Sequence, residues 1–156
     1  MLDVTHLKRI LAAVAASSLT VAGLASVTTG CTAADASVSV HGSRVDLTVR
    51  DFKIDSPQTV PSGTVTFVVH GAGPMMHELN VAWTDLAAKD LPLTSGDLVA
   101  DTKDTSHFVH VGEVEGIEMG KTKSLTVQLE SGKTYVLYCN MEGHYMAGMT
   151  TIVTAA

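Results

Sequence analysis

Cysteine is almost missing from this sequence: there are two in 156 residues, Cys31 and Cys139. A fold held by several disulfides is therefore excluded. The one possible pair would tie Cys139 to a residue in a small, polar Ala/Ser/Thr stretch, a poor place to staple a fold even in an oxidising compartment. Basic charge is also in deficit, with 10 Lys and Arg against 16 Asp and Glu, a net charge of −6. An acidic chain of this kind argues against nucleic acid as a partner and permits docking to basic proteins. There is no internal repeat, no Gly-rich phosphate loop and no acid/base pair, so enzymatic turnover finds no support. Helical periodicity is scarce. What the chain does have is 46% hydrophobic residues, enough for the core of one domain.

The N-terminus reads as an export segment. His6, Lys8 and Arg9 precede an uncharged run from Ile10 to Val27, rich in alanine and other small residues, as in a signal peptide. An uncleaved membrane anchor is the rival reading, weakened by the many Ala, Ser, Thr and Gly residues in the run. "VTTGC", Val27 to Cys31, resembles a bacterial lipobox, in which the cysteine is lipidated and becomes the mature N-terminus; simple cleavage after Ala34 is the alternative. Residues 1–31 are thus assigned to the signal, 32–44 to a flexible tether and 45–156 to a folded domain. The expected location is the periplasm or the outer face of the cytoplasmic membrane, held there by lipid on Cys31.

From Val45 the pattern is that of strands. "VDLTVRDFKI" alternates through Val45, Leu47 and Val49 and then changes phase to Phe52 and Ile54, which predicts one strand with a bulge or bend. "TVTFVV" (64–69), "MHELNVAW" (76–83), "SLTVQL", "TYVLYC" (134–139) and "TTIVT" (150–154) follow, separated by turn residues. Residues 84–111 read as an excursion between strands, with "TDLAAKDL" able to form a short helix. At least six short strands predict an all-β sandwich or barrel. His77 is expected at the start of its strand or on the core-facing side with Leu79 and Val81.

The chemistry concentrates in "YCNMEGHYMAGM", Tyr138 to Met149, between the last two strands. Cys139, His144 and Met149 are spaced Cys-x4-His-x4-Met, and thiolate, imidazole and thioether are donors that copper prefers. A trigonal His2Cys set with a weak axial Met is the blue-copper arrangement. His77, at the end of "HGAGPMMHE", supplies the second imidazole. Gly143 and Gly148, immediately before His144 and Met149, would let the loop bend its donors toward one ion.

These motifs resemble those of the cupredoxins, the small blue copper family of plastocyanin and azurin. The resemblance runs over roughly Val45 to Thr154, and the two four-residue gaps are similar to the ligand loop of rusticyanin and auracyanin. It implies a Greek-key β-sandwich, one type 1 copper ion, His77 and His144 as nitrogen ligands, Cys139 as the equatorial sulfur and Met149 as the axial one. It also implies a backbone N–H, from Glu78 or Asn140, donated to the thiolate. His70 stands where many relatives have Asn. The function implied is one-electron transfer by Cu(I)/Cu(II) cycling. The expected partners are redox proteins, met by a monomer through a weak apolar patch around an exposed edge of His144.

Taken singly, each ligand has an ordinary reading: a buried cysteine, a polar strand-end histidine, a core methionine. Their conjunction on one loop and its neighbour favours the metal. Solvated histidines are the default for His41, His107 and His110. Met75, Met76, Met141 and Met146 could form the apolar rim of the site or an additional soft Cu(I) site. Methionine-rich loops also keep a second function open, copper delivery or buffering, against which a tight thiolate site argues. A metal-free interaction module is the third.

Overall fold

Nine strands form among residues 42–94, 96–100 and 106–156, which are those described by the structure, a computed structural model. They are β1 (Ser43–Arg50), β2 (Lys53–Asp55), β3 (Thr59–Val60), β4 (Gly63–Gly71), β5 (His77–Thr84), β6 (Phe108–Ile117), β7 (Thr122–Leu129), β8 (Thr134–Tyr138) and β9 (Thr150–Ala155). The export segment, Cys31, His41 and most of the expected tether lie outside the described residues. No helix among those described is long and apolar enough to cross a membrane.

Two mixed sheets result, one ordered β2-β1-β4-β7 and the other β3-β9-β8-β5-β6. β1 runs parallel to β4 and β3 to β9, and the remaining neighbours are antiparallel. The alternation seen in the sequence sets the inner layer. Val45, Leu47 and Val49 of β1, with Val65, Phe67 and Val69 of β4, share one buried cluster with Leu79 and Val81 of β5, Tyr135 and Leu137 of β8, and Val153 of β9. Burying each such apolar side chain contributes roughly 1.5–3 kcal/mol.

The five-stranded sheet is covered on its other face as well. There Ala82, Val136, Tyr138 and Phe108 pack with Tyr145, Leu91 and Val99. With apolar cover on both sides, β8 is buried over four consecutive residues, Tyr135 to Tyr138, and so reads as an unbroken apolar run rather than as an alternation.

Three sequence expectations change. The phase shift after Val49 is a chain reversal, not a bulge in one strand: β1 and β2 form a hairpin in which Arg50 faces Lys53 across Asp51 and Phe52. Phe52 takes φ +60° to close that turn. No helix forms over "TDLAAKDL". The Tyr145 hydroxyl pins this segment as a loop, donating to the Ala88 carbonyl at 2.8 Å and accepting the Leu91 N–H at 3.0 Å. The excursion expected over 84–111 ends early, because β6 begins at Phe108. Its burial does not alternate, and its register with β5 shifts twice, which erases the period-two signal.

Candidate metal centre

Strand pairing brings the donors together. β5 lies beside β8 with Asn80 opposite Tyr138, so Cys139, the next residue, arrives next to Glu78 and the start of β5. His77 opens β5 fully buried, on the same face as Leu79 and Val81. From Cys139 the chain turns through a compact loop. His144 N–H bonds to the Met141 carbonyl, Ala147 N–H to Gly143 and Gly148 N–H to Tyr145. Gly143 and Gly148 take φ of +76° and +92°, a region that a side chain strongly disfavours, so the two glycines turn the loop as the sequence suggested.

One donor atom from each of His77, Cys139 and His144 lies within 4.8 Å of the others. The Cys139 Sγ is 3.3 Å from His144 Nδ1, and the two imidazole centroids are 5.1 Å apart. Cys139 carries a free thiol. Met149 is fully buried in the same cluster, and its backbone is tied to both neighbours, accepting from Cys139 N–H at 3.1 Å and donating to the His144 carbonyl at 3.0 Å.

The donor set fits a soft to borderline metal ion. Neither ring nitrogen of the buried His77 has a hydrogen-bond partner. Nε2 lies 3.4 Å from Asp51 Oδ1, outside hydrogen-bonding geometry. Buried polar nitrogens left bare are costly and rare. Here the bare imidazole stands beside a thiol and a second imidazole, which is a ligand set in need of an ion.

The surroundings settle several expectations. Of the two candidate amides, Glu78 N–H points at Cys139 Sγ, at 3.5 Å, while Asn140 N–H bonds to Glu78 Oε1 at 2.9 Å. His144 does not present an exposed edge: it is 3% accessible, and the ring of Phe52 stands edge-on to it with centroids 5.5 Å apart. The surface over that side of the site therefore includes Phe52, which is 44% exposed. Met75, Met76 and Met146 are also exposed, whereas Met141 packs partly buried against the core. His70 bonds Thr122 and Asp46 on neighbouring strands at 3.0 Å each. His107 pairs with Asp85, and His110 lies 3.8 Å from Glu113.

Asp51 and Phe52 were not singled out in the sequence. Their only signal there is the phase change in "VRDFKI", which marks the turn that delivers both residues to the histidines.

Burial pushes the Cys139 thiol above its ordinary range, against a smaller pull from the Glu78 and Met141 amides. Burial also holds His77 below the ordinary histidine value, helped by His144 and opposed by Asp51. A histidine with a depressed folded value takes up its proton more readily in the unfolded chain, so acid favours unfolding. The metal-free protein should lose stability as the pH falls from the ordinary histidine value toward the lower folded one. Urea midpoints measured across that window should drop for the wild type, and less steeply for His77→Ala. Equal slopes would show that His77 is not the group responsible.

No protein-family model matches the chain, and no curated protein matches it. Solved structures do. Reduced auracyanin from the photosynthetic bacterium Roseiflexus castenholzii superposes with a TM-score of 0.53 at 18% identity, over 74% of this chain and 98% of its own. Auracyanin B gives 0.51 at 16%, over 73% of this chain and 88% of its own. The fold is thus that of the cupredoxins, as the sequence motifs implied. The His-Cys-His cluster lies where β5 begins and β8 ends, with His144 on the loop that follows.

Proposed function

We propose that the chain is a type 1 copper protein that carries single electrons between redox partners outside the cytoplasm. The observation that carries this reading is the buried, unbonded His77 imidazole facing Cys139 and His144. His77, Cys139 and His144 would hold the ion, with Met149 as a fourth, weaker donor. When bound, copper supplies a reversible one-electron change between Cu(I) and Cu(II).

The chain's own part is to keep the donors in place and dry. Two strands and a loop closed by its own backbone bonds fix the thiol and both imidazoles, and all four side chains are shielded from solvent. The Glu78 N–H directed at Sγ would draw negative charge from the thiolate and raise the reduction potential. Exposed Phe52, Met75, Met76 and Met146 offer an adaptable apolar surface for brief, weak docking near His144.

The test is a visible spectrum of the copper-loaded protein, where a copper-thiolate site gives an intense band. A colourless protein that fails to take up stoichiometric copper would sink the proposal. Export and attachment through lipid on Cys31 belong to the same reading, since several acyl chains anchor far more firmly than one. Cys31→Ser should shift the protein out of the membrane fraction. Retention of the variant there would favour an uncleaved anchor.

A further inference from the structure

A bulge opens a cleft beside the centre. Where β5 and β6 run together, His77 faces Ile117 and Leu79 faces Val114, so Glu78 alone on β5 stands against Glu115 and Gly116 on β6. Gly116 takes φ +65°, which lets the strand carry the extra residue, and bulges of this kind re-aim side chains next to functional sites. The result is a cavity of about 450 Å3 lined by Met76, His77, Glu78, Glu115, Gly116 and Met141. The loop entering β5, the bulge and the loop after Cys139 thus meet there.

The lining is chemically mixed. Two thioethers and two carboxylates share the wall with the His77 imidazole, which is fully buried and has no hydrogen-bond partner at either ring nitrogen, and no Lys or Arg is among them. Glu78 Oε1 is held by Asn80 Nδ2–H and Asn140 N–H at 2.9 Å each, so Glu115 is the carboxylate left free to bind. An apolar guest would leave that carboxylate without a counter-charge, and a hard cation would leave the thioethers idle. A soft monovalent cation uses both, since thioethers select Cu(I) and a carboxylate offsets its charge.

We propose that this cleft is a second metal site, which takes up Cu(I) through Met76, Met141 and Glu115 and passes it inward to His77. The capture stands on the cleft alone; the handover rests on the copper reading above. Exposure falls along the way in, from 48% at Met76 through the partly buried Met141 to 0% at His77. The exchange is redox-neutral: thioethers give way to imidazole and thiolate, and the Cys139 thiol loses its proton to solvent as the metal binds.

Silver(I) serves as a redox-inert probe of similar softness. The metal-free protein, carrying methyl-labelled methionine, should take two equivalents by NMR. One shifts Met149, and the other shifts Met76 and Met141 together while the exposed Met75, Met119 and Met146 stay still. Methionine signals that all move at once, or Met76 and Met141 unmoved after the second equivalent, would overturn the site. Uptake of Cu(I) from a chelated donor should slow several-fold in Met76→Leu and in Glu115→Gln, both exposed positions where substitution is well tolerated. Met76→Leu should still take up Cu(II) at the wild-type rate and reach the wild-type spectrum and potential. A wild-type Cu(I) rate in either variant overturns the handover. If the protein takes a single equivalent of silver at Met76 and Met141, with Met149 unmoved and no copper band, the copper reading fails and the capture site stands.

Discussion

Cys139→Ala is expected to erase the intense visible absorption of the copper-loaded protein while leaving the sandwich folded. The band requires a copper-thiolate bond, and Cys139 is the only cysteine among the described residues. The fold does not depend on the sulfur. The thiol is in no disulfide, and the loop that follows is closed by backbone bonds that an alanine keeps, including Cys139 N–H to the Met149 carbonyl. Losing one buried sulfur should cost on the order of 1 kcal/mol, typical of single substitutions. Absorption and circular dichroism measured on the same sample separate the two effects. A variant that keeps the wild-type colour would remove Cys139 from the centre, and one that unfolds would show that the thiol matters to the core.

Met149→Gln should keep copper bound and lower its reduction potential. An axial thioether holds the ion weakly but tunes its preference between oxidation states, and a harder oxygen donor favours Cu(II). Each tenfold gain of Cu(II) affinity over Cu(I) lowers the potential by about 59 mV for one electron. Met149 is fully buried, so an amide there must also find hydrogen-bond partners, and some loss of stability should accompany the shift. A copper-delivery protein would respond differently: the substitution would matter through affinity, and the holo protein would pass copper to an acceptor faster than it exchanges electrons. Voltammetry beside a copper-transfer assay distinguishes the two. An unchanged potential would point to Met141, which packs against the same core cluster, as the fourth donor.

Much of this centre could be read from residue types and spacing because its donors sit in one short loop whose ends are strands. Cys139, His144 and Met149 are close in sequence, and the glycines before two of them mark the bends. His77 is less legible, since its proximity depends on the pairing of β5 with β8, and its signal is its place at the head of an alternating strand. Asp51 and Phe52 come from a third region, and nothing local to "RDFK" tells which loops its turn will meet. β6 was hidden for another reason: its two register shifts break the alternation by which strands are recognised. The buried state of His144 was likewise out of reach, because the ring that covers it belongs to that distant turn.

The paired strands β8 and β9 end with Tyr138 opposite Thr150, and just beyond them Cys139 and Met149 are joined backbone to backbone. Residues 140–148 therefore hang from a narrow neck, and their own bonds close the span inside it. Such a segment can change in length or sequence between the two sulfur donors while the neck keeps its register, although it carries only one donor of the centre itself, His144. Edits within residues 140–148 that spare Asn140 and Tyr145, which are bonded to Val99, Glu78, Ala88 and Leu91, would thus change the surroundings of His144 with the two sheets unaltered.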